Sequence, residues 1–113
     1  MTNETVQQKA PMIITPAVNI LESSDTFIVT LDIPGATKDR IKANIENNSL
    51  VIVADVFHAS AVENDQSEKQ YRREFSLAND IDVDSTDARY DLGVLTITLK
   101  KKQQYVPKQI HVN

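Results

Sequence analysis

Cysteine is absent from this chain, so neither a disulfide framework nor a thiolate metal site is available to it. Tryptophan is absent as well. Only two glycines occur, Gly35 and Gly93, which removes the glycine-rich loops that cradle phosphates. No apolar run approaches the length of a membrane span, and the first residues lack the apolar core of a secretory signal. The cytoplasm is therefore the expected compartment. No excess of basic charge exists either: 12 Lys and Arg stand against 16 Asp and Glu, a net charge of −4, with both signs interspersed. That balance argues against nucleic acid as the main partner. The 113 residues suit one domain, and a domain of that size buries roughly two-thirds of its unfolded surface without staples.

What the chain does have is period-2 hydrophobicity. Pro11-Met12-Ile13-Ile14-Thr15-Pro16 places a proline at each end of a short apolar stretch, which predicts an extended arm over residues 1–15 rather than a helix. Val18 and Ile20 alternate with Asn19, and Ser23-Ser24-Asp25 marks a turn. Phe27, Val29, Leu31 and Ile33 form the cleanest alternating row, with Thr30 and Asp32 on its other face, and Pro34-Gly35 stops it. This row reads as core. Ile41, Ala43 and Ile45 give a further row, and Leu50–Val56 a buried strand. Asn47-Asn48 between them tolerates positive φ, so the pair reads as a hairpin. Residues 58–70 are polar, without glycine or proline, and form either a long loop or a strand that pairs elsewhere. Tyr71, Arg73, Phe75 and Leu77 alternate again. An acidic segment from Asn79 to Asp87 reads as a connection anchored by Ile81 and Val83. Ala88 and Tyr90 then lead to a turn at Leu92-Gly93, and Val94–Leu99 is the last long strand, ending in Lys100-Lys101-Lys102. Past Pro107 lies one more apolar pair, Ile110 and Val112, separated by His111. Seven or eight short β segments without a convincing helix predict an antiparallel sandwich.

Groupings that carry chemistry elsewhere each fail on a particular residue. Asp80, Asp82, Asp84 and Asp91 match a calcium loop in part, but Ser85 stands where that loop requires glycine, and no helices flank it. His58 and His111 lack a second ligand at close spacing, which leaves no zinc site. No serine, histidine and carboxylate arrangement indicates a nucleophile, so no enzyme activity and no cofactor are expected. The lysine run after Leu99 guards a strand edge better than it binds phosphate.

Several motifs do coincide in one order. Ala88-Arg89-Tyr90-Asp91-Leu92-Gly93-Val94-Leu95 resembles the A-x-x-x-n-G-V-L signature of the α-crystallin domain. Asp32-Ile33-Pro34-Gly35, Asn48-Ser49-Leu50-Val51-Ile52, Tyr71-Arg72-Arg73-Glu74-Phe75-Ser76-Leu77 and Ile110-His111-Val112 are similar to four further family motifs. Together they cover residues 16–113 and mark a resemblance to the small heat-shock proteins, closest to bacterial members. The resemblance implies an all-β fold, an immunoglobulin-like antiparallel β-sandwich. Its parts would be an N-terminal arm (1–15), an α-crystallin domain (16–102) and a C-terminal extension (103–113) carrying an I-x-V anchor. It implies an ATP-independent holdase that binds unfolding client proteins under stress. The alternative is a co-chaperone interaction module with the same sandwich, similar to p23. Partners would be unfolded clients and the chain itself, as a homodimer that leaves larger homo-oligomers open.

Residue roles follow from the same resemblance. Ile110 and Val112 would anchor in a groove for which Ile41, Ala43, Ile45, Ala88 and Tyr90 are candidates. Phe57, Tyr71, Arg73 and Phe75 are candidates for a dimer interface, with Arg73 facing a carboxylate of the second subunit. The segment 57–70 would dimerise either by swapping a strand or by edge pairing. Met12, Ile13 and Ile14 are candidates for client contact. Two departures stand out: Ala78 occupies a position where the family often has proline, and the arm carries no aromatic residue. Small or labile assemblies that depend more on the tail than on the arm are the resulting expectation.

Overall fold

The structure, a computed structural model, describes residues 12–57, 68–102 and 110–112. Eight strands lie among them: β1 (Met12–Ile14), β2 (Val18–Glu22), β3 (Thr26–Asp32), β4 (Ile41–Glu46), β5 (Ser49–Phe57), β6 (Glu68–Ser76), β7 (Ile81–Asp91) and β8 (Val94–Lys101). They form two four-stranded sheets, in the orders β1-β6-β5-β4 and β2-β3-β8-β7. Alternation sets the register, because slipping a strand by one residue would turn its apolar row to solvent. Val29 therefore faces Ile97 across the β3–β8 pair, and Leu31 faces Leu95. In the other sheet Ile45 faces Leu50 and Ala43 faces Ile52. The inward rows meet in one core, where Leu31, Ile33, Leu50, Ile52, Ile97 and Leu99 are the largest side chains fully sealed from water. Among the described residues no helix is long and apolar enough to cross a membrane.

Turn chemistry does the rest. Asn47 (φ 50°) and Asn48 (φ 60°) both adopt the left-handed conformation that a two-residue hairpin turn requires. Leu92 (φ 48°) and Gly93 (φ 81°) do the same between β7 and β8. Pro34-Gly35 turns the chain out of the sheet that holds β3, and a single 3₁₀ turn at Lys38–Arg40 leads it into β4 in the other.

The sandwich is antiparallel as expected, and the arm adds one strand to its edge: β1 runs parallel to β6, Met12 facing Lys69 and Ile14 facing Tyr71. One expectation needs correction. The acidic segment is not a connection: from Ile81 it belongs to β7. Ile81 is buried as expected, whereas Val83 is half exposed. A bulge explains the difference. Asp82 faces Lys100 and Asp87 faces Thr98, so residues 83–86 share a single opposite residue, Leu99, and the inward–outward alternation is lost there.

Candidate binding groove

Strands β4 and β7 are edges of different sheets, and the sandwich is open between them. On the β4 side Ile41, Ala43 and Ile45 point inward, since their partners Ala54, Ile52 and Leu50 are core residues. On the β7 side Ala88 faces Ile97 and Tyr90 faces Leu95. The two alanines leave space that larger side chains would fill. A cavity of about 750 Å³ opens there, with Ile41, Ala43, Ala88, Tyr90 and Leu95 on its walls and Lys38, Arg89 and Asp91 at its rim. It shares Ala43 and Ala88 with a second cavity that continues to Ile45, Val83 and Thr86. That one in turn shares Ile45 and Val83 with a third, bordered by Asp82, Asp84 and Lys102. The three form one groove along the open side.

Tyr90 fixes the end of the groove nearest the crossover. Its hydroxyl donates a hydrogen bond shared between the carbonyls of Ala36 (2.8 Å) and Ile33 (3.2 Å), which ties β7 to the crossover between the sheets. Tyr71 makes a comparable bond from β6, donating to the Pro34 carbonyl at 2.9 Å. Asp39 lies in the adjoining 3₁₀ turn, and its carboxyl is held below its usual range, chiefly by a hydrogen bond from the Thr37 side chain. It stays ionised beside Lys38 and Arg40. Among the described residues no group of three His, Asp or Glu side chains gathers in a way that would hold a metal ion.

All five residues assigned to the groove from the sequence line its walls. Sequence reasoning missed its charged ends, Lys38, Arg89 and Asp91 at one and Asp82 and Asp84 at the other. Their only signal is position on two strands that become neighbours through tertiary structure. Ile110 and Val112 stand clear of the sandwich, 83% and 85% exposed. Tyr71, Arg73 and Phe75 share the inward row of β6, opposite Ala54, Ile52 and Leu50. The Arg73 guanidinium lies over the Phe75 ring, 5.3 Å from its centre. Phe57 ends β5 at the border of the described residues, and residues 58–67 lie outside them. Met12 and Ile13 are more than half exposed on the outermost strand, while Ile14 is partly covered.

A model of the Hsp20/alpha crystallin family matches residues 19–113. The chain belongs to that family. An 18 kDa heat shock protein of Clostridium acetobutylicum is 39% identical over 93 residues, which cover 75% of this chain and 61% of that protein. The chain thus spans less than two-thirds of that relative's length. Heat shock protein 16.0 from Schizosaccharomyces pombe is similar in structure, with a TM-score of 0.68 and 25% identity over 88% of this chain and 99% of that one. A small heat-shock protein from Xylella fastidiosa, described as having a distinct high order structure, superposes with a TM-score of 0.71 and covers 88% of this chain and 97% of its own. At 23% identity it speaks for the fold. The sandwich is thus that of an α-crystallin domain, and family membership supports a chaperone role.

Proposed function

We propose that this protein is an ATP-independent holdase that binds unfolding proteins and limits their aggregation, built on a self-associating α-crystallin domain. The observation that carries the reading is a complementary pair within one chain. An apolar groove stands open between β4 and β7, and an exposed Ile110-His111-Val112 segment stands apart from it. In an extended strand Ile110 and Val112 fall on one side, so the segment of one copy can plug the groove of another. Burying two aliphatic side chains contributes roughly 3–5 kcal/mol before the cost of ordering the tail. Such a contact is weak enough to open under stress, which uncovers apolar surface for clients. Met12 and Ile13 add apolar surface on β1. Dimerisation rests on the segment 57–70 together with the β6 row of Tyr71, Arg73 and Phe75.

The test is suppression of aggregation of a heated test protein, followed by light scattering. Suppression at or below one subunit per client supports the holdase, and no effect at equimolar subunit rules it out. The tail contact is tested separately by native mass. Ile110→Ala with Val112→Ala should shift the assembly toward the dimer, and an unchanged mass would remove the tail from self-association.

A further inference from the structure

The outer edge of β6 is divided. Leu77 N–H donates to the Asn48 carbonyl at 2.6 Å. Hydrogen-bonding direction alternates along a strand, so Lys69, Tyr71, Arg73 and Phe75 also bond toward β5, with which they pair. The backbone groups of Gln70, Arg72, Glu74 and Ser76 therefore point to the side away from β5. β1 takes the first part of that edge. Ile13 stands opposite Gln70, and in a parallel ladder Gln70 then bonds the residues on either side of it, Met12 and Ile14. Among the described residues no strand lies beyond β6 past Tyr71.

β1 is weakly held. It has three residues, Met12 and Ile13 are more than half exposed, and none of the three belongs to the core cluster. Pro11 and Pro16 bracket it in sequence, and proline carries no N–H with which to extend the ladder. A few hydrogen bonds, each of modest net strength in water, hold it against the entropy of a freed chain. The edge that it covers is self-complementary. Arg72 and Glu74 are exposed on the outer face. When two β6 strands lie antiparallel about a two-fold axis at Arg73, Arg72 of each meets Glu74 of the other, Tyr71 meets Phe75 and Gln70 meets Ser76. Centring on Arg72 or on Glu74 instead would set that residue against its own copy on the outer face. Arg73 meets its copy on the inner side, where its guanidinium is drawn along the strand over the Phe75 ring of its own chain, 5.3 Å from the centre.

Within the self-association proposed above, on which this inference rests, we infer that β1 is a guard strand on the β6 edge. Seated, it occupies the place beside Gln70 that Ser76 of a second copy would need, and two copies cannot pair there. Released, it lets β6 of one copy pair with β6 of another in the register centred on Arg73, a closed two-fold contact. Gln70, Arg72, Glu74 and Ser76 of each strand then bond across the axis, and the two sheets join. Heat favours the released form, because freeing a short peripheral strand gains chain entropy at the loss of few bonds. The arm thus acts on self-association through the backbone of three residues, without the aromatic side chains that it lacks.

The chain has no cysteine, so a single introduced one reports the pairing by itself. Arg72→Cys, Arg73→Cys and Glu74→Cys are each made in the full chain, alone and together with Ile14→Pro, which removes the donor to Gln70 and leaves the core untouched. After mild oxidation, covalent dimer on a non-reducing gel should form at position 73 alone, where the axis brings the two Cα atoms to about 4.5 Å. With β1 seated that crosslink should form about tenfold more slowly near room temperature than with Ile14→Pro, and the two rates should converge on heating. Arg72→Glu should slow the crosslink, and adding Glu74→Arg should restore it. A crosslink equally fast with and without Ile14→Pro would remove β1 as a guard, and one at position 72 or 74 would overturn the register. No crosslink from a chain whose native mass is still dimeric would overturn the inference and leave self-association intact. A monomeric native mass would overturn both.

Discussion

At the scale of single residues, the scarcity of glycine shows where backbone freedom is indispensable. Both glycines have positive φ, 89° at Gly35 and 81° at Gly93. A Cβ on Gly35 would meet Val56 Cγ1 at 3.2 Å, and one on Gly93 would lie 3.4 Å from Pro34 Cα. Left-handed backbone is costly for any residue with a Cβ. Gly93→Ala should therefore lower stability by about 1–2 kcal/mol, read as a shift in urea midpoint with an unchanged slope. Tyr90 makes a second case. Phenylalanine would keep the ring packed against the groove but leave the Ile33 and Ala36 carbonyls without that donor. Tyr90→Phe should cost about 1 kcal/mol. A thermal melt checks it, and no change would mean that water replaces the hydroxyl at no cost.

At the scale of elements, Lys101 clips the end of β8 to the β2–β3 hairpin. Its ammonium donates to Glu22 Oε1 at 2.9 Å and to the Ser23 carbonyl at 3.0 Å, and lies 4.7 Å from the centre of the Phe27 ring. The Lys101 side chain is 11% exposed, whereas Glu22 is 60% exposed, so the carboxylate contributes little and the ring and carbonyl contribute more. Backbone bonds reinforce the clip: Lys101 N–H donates to the Asp25 carbonyl and Lys102 N–H to that of Asp80. Lys102 is thereby held at the end of the groove where β7 begins, beside Asp82 and Asp84. Lys101→Met keeps the stem and removes the charge, and should cost about 1 kcal/mol. Hydrogen exchange should report the loss first at the hairpin amides of Ser23 and Thr26. Protection unchanged there would show that the backbone bonds alone hold the hairpin.

At the scale of the whole molecule, the groove exists because neither sheet covers the other's edge, and Ala43 and Ala88 keep it open. Ala88→Leu should fill the central cavities without touching the core interior. Stability should move by no more than about 0.5 kcal/mol, as for other substitutions away from the core. Native mass should fall toward that of the Ile110→Ala, Val112→Ala variant. An assembly unchanged by this substitution would place the tail elsewhere on the surface.

Strands and turns were legible because they depend on neighbours in sequence. Alternation placed Phe27–Ile33, Leu50–Val56 and Val94–Leu99, while Asn47-Asn48 and Leu92-Gly93 marked the turns where positive φ is now found. The groove walls were legible through motif resemblance and their period-2 rows. The bulge in β7 was not, because an alternation that breaks over residues 83–86 reads as a loop until Leu99 is known to lie opposite. Nor was the parallel seat of β1, since Met12-Ile13-Ile14 carries no sign of which strand edge it meets. The sequence alone thus determined the local geometry, the inward rows and the spacing of Ile110 and Val112. Only the tertiary structure decided that β4 and β7 flank a single opening, with charged residues of both signs gathered at each of its ends. Charges far apart along the chain acquire a common field only when the sheets stack.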